Sequence, residues 1–530
     1  MSAATAPSSA PALPLAAEVC YRAVLARDAQ FDGQFIVGVT STGIYCRPVC
    51  RVKTPKAQNC RFFADAVQAQ LQGFRPCRRC RPELAPAAYG WSVQDVSASL
   101  AAQALRLLDP VGNALQVQAV AARLGITDRH LRRIVQQHFG YSPHQYLQQK
   151  RLTHARQLLM DTVLPVQNIA RASGYQSVRA FHTAFAKYDG RAPLALRAQC
   201  QPPPMGALEP VMRLSYRPPY QTAALLGFLA RRAIPGVEWV HPGQGAGALA
   251  SGGGQEAWHW IRSLALEGLE GLEGLEGLEG LGGQPQAIAG WVAARLQENP
   301  PRLHVAVSAN LLAHLPALQP WLAAQFDLNA APAAIASVLG KDFANVAGLR
   351  VPGCMQAFEL VVRAILGQQI SVAAANTLLA RFANAFGQAV TTPFAAITHQ
   401  FPTAQQFASQ GTEVLERMGA IGIIRSRQNA IAACAQALAD GSLVLNPGAP
   451  VQAALQRLLQ VPGIGPWTAH YIVMRSIKWP DAFVAGDAAL HKSLGLSQSA
   501  AQRTALATTR AQAWQPWRSY AVMASWQTLE

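Results

Sequence analysis

The stretch Val461-Pro-Gly-Ile-Gly-Pro-Trp-Thr-Ala-His-Tyr471 leaves the chain little choice of local fold. Leu455, Leu458 and Leu459 precede it and Ile472, Val473 and Met474 follow, so apolar helices are expected on both sides of a tight Pro-Gly-Ile-Gly hairpin. Gly463 and Gly465 let the backbone turn where a Cβ would clash, and they leave backbone N–H groups open at the second helix start. Such helix starts bind phosphate. One carboxylate, Asp487, follows in Val484-Ala-Gly-Asp487, just past a loop of small residues. The pattern is that of a clamp for a nucleic-acid backbone with an acid beside it.

A chain of 530 residues has room for roughly three or four domains. Its net charge of +17 calls for a polyanionic partner, nucleic acid or an anionic membrane face. No apolar run approaches the roughly 18 residues that span a bilayer, so a membrane partner is not expected. The leader Met1-Ser-Ala-Ala-Thr-Ala-Pro has neither the basic start nor the apolar core of a signal peptide. The expected location is the cytoplasm, in association with the nucleoid. There, nine cysteines are expected as thiols or metal ligands, not disulfides.

Five of those cysteines fall between Cys46 and Cys80. Cys46-x3-Cys50 and Cys77-x2-Cys80 form two close pairs, the spacing of a tetrahedral Zn2+ site. Cys60, between the pairs, reads as a buried small residue. From Arg47 to Arg81 there are nine Lys or Arg against one acid, Asp65, so a positive field would hold a DNA phosphate near the thiolates. The words Thr42-Gly-Ile-Tyr-Cys46-Arg-Pro-Val-Cys50 and Gly73-Phe-Arg-Pro-Cys77-Arg-Arg-Cys80 resemble the N-terminal zinc domain of the Ada family. That resemblance implies one Zn2+ held by Cys46, Cys50, Cys77 and Cys80, with Cys46 taking a methyl group irreversibly from a DNA methylphosphotriester. Methylation of a ligand removes one negative charge near DNA, which gives the site a switch role.

Residues 91–200 carry two helix-turn-helix patterns. The first runs Val117–Leu124, Gly125 at the turn, then Thr127–Gln137, with Thr127 as N-cap and Leu131, Ile134 and Val135 on the buried face. Arg129, His130, Arg132 and Arg133 lie off that face. The second runs Val166–Gly174 and Ser177–Lys187, and Lys150–Met160 reads as a connecting helix. With the word Phe139-Gly-Tyr-Ser-Pro143, this resembles the AraC-type DNA-binding domain, which implies that Thr127–Gln137 and Ser177–Lys187 read bases in adjacent major grooves. Arg129, Arg132, Arg133 and Arg179 are the expected DNA contacts. The Pro-Cys-His-Arg word of an alkylguanine transferase does not occur, so O6-methylguanine repair is not expected.

Gln201-Pro-Pro-Pro204 opens a linker, 201–210. In 211–335, Met212–Tyr216 and Leu303–Ala309 read as strands, and Thr222–Ala233 and Ala313–Phe326 as helices, so a small α/β domain is expected. Glu-Gly-Leu repeats at 267–283 read as a disordered insert without chemistry. Residues 336–530 read as all-helical, with Ala357–Leu366 and Ala373–Phe386 around Gly367-Gln-Gln-Ile-Ser371. The segment Pro218–Ala233 and the words Arg363-Ala-Ile-Leu-Gly-Gln-Gln-Ile-Ser371, Val461-Pro-Gly-Ile-Gly-Pro-Trp-Thr-Ala469 and Trp517-Arg-Ser-Tyr520-Ala521 resemble the AlkA group of helix-hairpin-helix DNA glycosylases. By that resemblance Asp487 is the catalytic carboxylate. Phe228, Trp467, Tyr471 and Trp526 line the base pocket, joined by Gln368 and Gln369, with Gln369 or Ile370 at the intercalating position. Gly463 and Gly465 hold the DNA backbone. Trp467 stands where strand-cleaving relatives carry lysine, which implies a monofunctional hydrolase. No cysteine follows Cys434, so no iron–sulfur cluster is expected.

The expectation is therefore a multidomain chain, mainly α with α+β parts. It has a small four-cysteine zinc domain (1–90), a double helix-turn-helix domain (91–200), a small α/β domain (211–335) and an all-helical helix-hairpin-helix glycosylase domain (336–530). It binds double-stranded DNA at damaged and promoter sites, excises bases of the 3-methyladenine and 7-methylguanine type, and activates transcription through RNA polymerase. Two alternatives stay open at this point: a regulator whose glycosylase half is an inactive DNA-binding module, and a repair enzyme whose N-terminal half only anchors it to DNA.

Overall fold

The computed structural model describes residues 15–82, 85–86, 100–101, 104–105, 108, 117–161, 164–198, 210–241, 258–266, 288–411, 413–447 and 449–529. They fall into two compact units, which divide near residue 201.

The first unit begins with helix Ala17–Ala26 and a four-stranded sheet in the order β3-β1-β2-β4. Its strands are β1 (Ile36–Val39), β2 (Ile44–Cys46), β3 (Cys60–Phe63) and β4 (Arg75–Pro76). The β2–β4 pairing is parallel, with Tyr45 opposite Pro76, and Cys77 N–H donates to Tyr45 O (2.9 Å). Parallel register brings the chain out of both strands at the same end, so Cys46 and Cys77 arrive side by side. Cys60 stands in β3, half-buried, which corrects the expectation that it is buried.

Both helix-turn-helix pairs form as expected. Thr127 caps helix Asp128–Phe139 through His130 N–H (3.2 Å), and Ser177 caps helix Val178–Asp189 through Ala180 N–H (3.4 Å). Gly140 and Gly190 end the two helices in the left-handed conformation. Leu131, Ile134 and Val135 are buried beneath the first, Phe181 and Phe185 beneath the second. The connecting helix is longer than its apolar pattern indicated, spanning Pro143–Asp161. Tyr141, from the Phe139–Pro143 word, donates to Oδ2 of Asp65 (3.0 Å), the N-cap of helix Ala66–Leu71 that follows β3.

In the second unit a five-stranded sheet has the order β5-β9-β8-β7-β6. Its strands are β5 (Met212–Ser215), β6 (Glu238–Val240), β7 (Trp260–Leu266), β8 (Ile288–Gln297) and β9 (Arg302–Val307). Every pairing is antiparallel, so the alternation of strands and helices here is an α+β arrangement and not a set of parallel crossovers. Leu266 pairs with Ile288, which places the Glu-Gly-Leu repeats between two hairpin strands; the repeats lie outside the described residues.

The sheet is joined to the helical part by buried charge. Glu359 on helix Ala357–Leu366 takes Arg262 of β7 (2.5 Å) and Arg363 (2.8 Å), while Arg363 also reaches Glu238 of β6 (2.9 Å). Trp260 Nε1–H donates to the second Glu238 oxygen (2.7 Å). Burial pushes the Glu359 carboxyl up, but the two guanidinium groups outweigh it and hold it down at about 2. The hairpin forms between helices Val451–Leu459 and Pro466–Ser476. No described helix is long and apolar enough to cross a membrane.

Candidate functional site

The four cysteines predicted as ligands converge. The Sγ atoms of Cys46, Cys50, Cys77 and Cys80 lie within 4.8 Å of one another, and Cys60 is not among them. Cys50 and Cys77 sulfurs are 3.9 Å apart. A tetrahedral Zn2+ with thiolate bonds near 2.3 Å spaces its sulfurs at about 3.8 Å, so the set fits that ion. Arg47 N–H donates to Cys80 Sγ (3.4 Å), and its guanidinium bonds both Cys80 O (3.2 Å) and the buried Asp32 (2.8 Å), tying the Cys46–Cys50 turn to Cys80. Mutual hydrogen bonds among the sulfurs split their acidities: Cys46 is pushed up and Cys77 is pushed down. A divalent cation in place of those protons makes all four thiolates ligands. Cys46, Cys50 and Cys77 are buried, while Cys80 is half-buried.

On the first helix-turn-helix, Arg129, Arg132 and Arg133 are placed on the helix that Thr127 caps, and all three are exposed, away from its buried side. Arg132 pairs with Asp128 (2.9 Å) and Arg133 meets His130 (3.2 Å). On the second, Arg179 is exposed and borders an open depression lined by Ser177, Ala180, Thr183, Ala184 and Lys187. Small side chains flanked by cations suit entry into a groove.

The second unit assembles its site around Asp487. The residue is N-cap of helix Ala488–Ser493 and accepts from Leu490 N–H on Oδ1 (2.7 Å). Trp526 Nε1–H donates to the same oxygen (3.0 Å) and Trp467 Nε1–H to Oδ2 (2.9 Å). Asp487 is therefore a helix cap and, at the same time, the focus of two indole donors, only 9% exposed. Tyr471 stacks on Trp467 at 5.2 Å and 12°, and meets Trp526 at 6.2 Å.

Behind Tyr471 stands a residue that the sequence pattern did not flag. Arg475 is buried, donates to Tyr471 Oη (2.7 Å), and is anchored on Pro352 O (3.0 Å) and Gly353 O (2.8 Å). Its place four residues after Tyr471 on one helix was the available signal. Burial pushes the Tyr471 hydroxyl up, but the Arg475 and Arg232 charges outweigh it and bring it below its ordinary value. Phe228 is buried; Arg232 lies over its ring at 3.8 Å and Arg475 at 5.2 Å, so it shares Arg475 with Tyr471.

Gln368 and Gln369 are placed differently from the aromatic residues. Gln368 Nε2 donates to Gly463 O (3.0 Å) and Thr468 Oγ1 (3.0 Å), stapling its loop to the hairpin. Gln369 is exposed on the loop with φ +58°, and Ile370 is half-buried. In the hairpin, Gly463 has φ +93°, a backbone that favours glycine. Gly465 has φ −88°, open to any residue, and a Cβ there would meet nothing within 4 Å. The expectation that a Cβ at 465 would clash within the chain is thus corrected. No side chain caps the helix that starts at Pro466.

Four family descriptions match successive parts of the chain. They are the metal-binding domain of Ada at residues 19–83, a helix-turn-helix domain at 120–199, the AlkA N-terminal domain at 211–356, and the HhH-GPD superfamily of base excision DNA repair proteins at 362–519. A probable bifunctional transcriptional activator/DNA repair enzyme AlkA of Mycobacterium tuberculosis is 35% identical over 97% of this chain and 96% of its own. The DNA-3-methyladenine glycosylase 2 of Escherichia coli is 32% identical over 59% of this chain and 96% of its own. A solved methylated N-Ada/DNA complex is 32% identical over 26% of this chain and 98% of its own, with a TM-score of 0.13. Matched over nearly its whole length, the chain belongs to the AlkA family of bifunctional transcriptional activator/DNA repair enzymes.

Proposed function

We propose that this protein removes alkylated bases from DNA with its second unit and senses alkylated DNA with its first. The observation that carries the repair reading is the Asp487 carboxylate, held by two indole N–H groups at the edge of stacked aromatic rings. The uncapped helix start at Pro466 and the open space above Gly465 suit a phosphate of the bound strand.

The target nucleotide leaves the stack to reach the pocket. A purine alkylated at N3 or N7 is cationic, and ring faces such as those of Trp467, Tyr471 and Trp526 attract it by roughly 0.5–2 kcal/mol per contact. As the C1′–N bond breaks, the bond's electron pair goes to the base, which departs neutral. Positive charge grows on the sugar, and the Asp487 carboxylate stabilises it. Water held by the same carboxylate then bonds to C1′ and gives its proton to Asp487 or solvent. The base is already activated, so no general acid is required. With Trp467 in place of an amine nucleophile, the product is an abasic site in an unbroken strand.

In the first unit, Cys46, Cys50, Cys77 and Cys80 would hold Zn2+, which when bound would keep their sulfurs as thiolates at neutral pH. The Cys46 sulfur bonds to the methyl carbon of a methylphosphotriester, the methyl–oxygen bond breaks, and a phosphodiester anion leaves. Loss of one negative charge at the cluster strengthens DNA binding, and Arg129, Arg132, Arg133 and Arg179 then act at promoter sites, with RNA polymerase as the partner. Such a protein works at the nucleoid.

The deciding assay measures 3-methyladenine and 7-methylguanine release from methylated DNA. Wild type releases both, and Asp487→Asn is slower by roughly 10²- to 10⁴-fold. No release by wild type would leave the regulator reading in its place. A promoter-reporter assay with Cys46→Ala tests the sensor, and induction by a methylating agent that is unchanged in the variant removes that role.

A further inference from the structure

The three pocket rings each carry a polar group, and each of those groups is bonded within the protein. Trp467 and Trp526 point their indole N–H at opposite oxygens of Asp487 (2.9 and 3.0 Å). The Tyr471 hydroxyl takes Arg475, itself locked on two backbone carbonyls. Three separate helices therefore meet at one carboxylate: Pro466–Ser476 through Trp467, Arg518–Gln527 through Trp526, and Ala488–Ser493 through its own cap. If the rings only lined a pocket, phenylalanine would serve, and no pair of N–H groups would need to bracket the same acid.

We propose that Trp467 and Trp526 are positioning residues for Asp487: their N–H groups fix the plane and direction of the carboxylate, and only their ring faces are left to meet the base. This rests on the reading of the second unit as a glycosylase. A carboxylate only 9% exposed is costly as an anion unless donors surround it. Charge-assisted bonds on both oxygens meet that cost and stop rotation about the side chain, so the negative charge is already in place when the sugar becomes positive. The pocket consequently has no indole donor free to read a base edge. Selection then falls on charge and stacking, which any cationic alkylated base satisfies.

The test is carried out in the full-length protein. Benzothienylalanine at position 467 or 526 keeps the ring and replaces N–H by sulfur. Single-turnover release of 7-methylguanine is expected to fall roughly 10- to 100-fold, while affinity for duplex DNA with a tetrahydrofuran abasic analogue changes less than about twofold. Trp→Phe at either site moves the same way. An unchanged rate with benzothienylalanine, alongside loss on Trp→Ala, would show that the rings matter only as surfaces and would overturn the proposal.

A second readout does not depend on catalysis. In protein labelled with ¹⁵N-tryptophan, Asp487→Asn should shift the indole N–H signals of Trp467 and Trp526 and leave those of the other nine of eleven tryptophans in place. If neither signal moves, the proposal fails whatever the activity. If both move and wild type releases no base, the glycosylase reading fails and the clamp on Asp487 stands.

Discussion

The two reactive centres of this protein are built on opposite plans. In the first unit four sulfurs come from two short words, delivered side by side by the parallel β2–β4 pairing. In the second unit the donors to one carboxylate come from positions 467, 490 and 526, on three helices. The cysteine set holds together through a cation, the carboxylate through hydrogen bonds and packing. The chemistry differs in the same sense. In the proposed roles, a methylated Cys46 thiolate is used up, so its centre counts damage once, whereas an Asp487 carboxylate that only stabilises charge is regenerated and serves every turnover. One chain thus carries a detector and a catalyst for the same class of lesion.

That contrast makes the two centres separately breakable. The largest effect is expected from metal removal. A thiol-compatible zinc chelator should abolish methyl acceptance and expose the 19–82 region to proteolysis, because the binding energy of a structural metal is folding energy. Release of 3-methyladenine should continue at the same rate. Parallel loss of both activities would mean that the second centre also depends on the metal.

The next largest effect targets the second centre alone. Glu359→Gln leaves buried Arg262 without its carboxylate and weakens the hold on Arg363. Breaking such a pair costs roughly 3–5 kcal/mol, read as a drop in denaturant midpoint for the second unit with methyl acceptance unchanged. The pH dependence has a definite sign. The folded carboxyl is held at about 2, below its ordinary value, so its contribution is complete above roughly pH 5 and is lost as pH falls toward about 2. In the Gln variant the part of the acid-induced loss that is due to this group should disappear.

The same contrast explains what the sequence made legible. Cysteine pairs, the Thr127 cap and the hairpin are local signals, written within a few residues, and the structure places them as read. Strands β6 and β7 escaped because Glu238, Arg262 and Ser263 are polar residues buried by their partners, which hides the alternation expected of a strand. The Glu359–Arg262–Arg363–Glu238 set joins three elements and has no periodicity. Asp487 could be matched by resemblance, but nothing in the spacing of Trp467 and Trp526 announced that both indoles donate to it.

Two smaller effects separate the hairpin's shape from its support. Gly463 holds φ +93°, and a Cβ there has ordinary contacts at 3.7–3.9 Å, so Gly463→Ala meets backbone strain and not a clash. A cost of roughly 1–2 kcal/mol is expected, read as weaker binding to abasic-analogue DNA as the hairpin relaxes. Gln368 acts from outside. Its amide bridges Gly463 O and Thr468 Oγ1, while Arg427 donates to its own carbonyl, so one residue ties the loop, the hairpin and helix Arg425–Ala439 together. Gln368→Ala should cost only about 1 kcal/mol of stability. Its informative consequence is kinetic: if Gln368 is a staple, Gln368→Ala slows excision of every alkylated base by the same factor. If Gln368 instead reads the base, the loss differs between 3-methyladenine and 7-methylguanine, and the residue returns to the pocket.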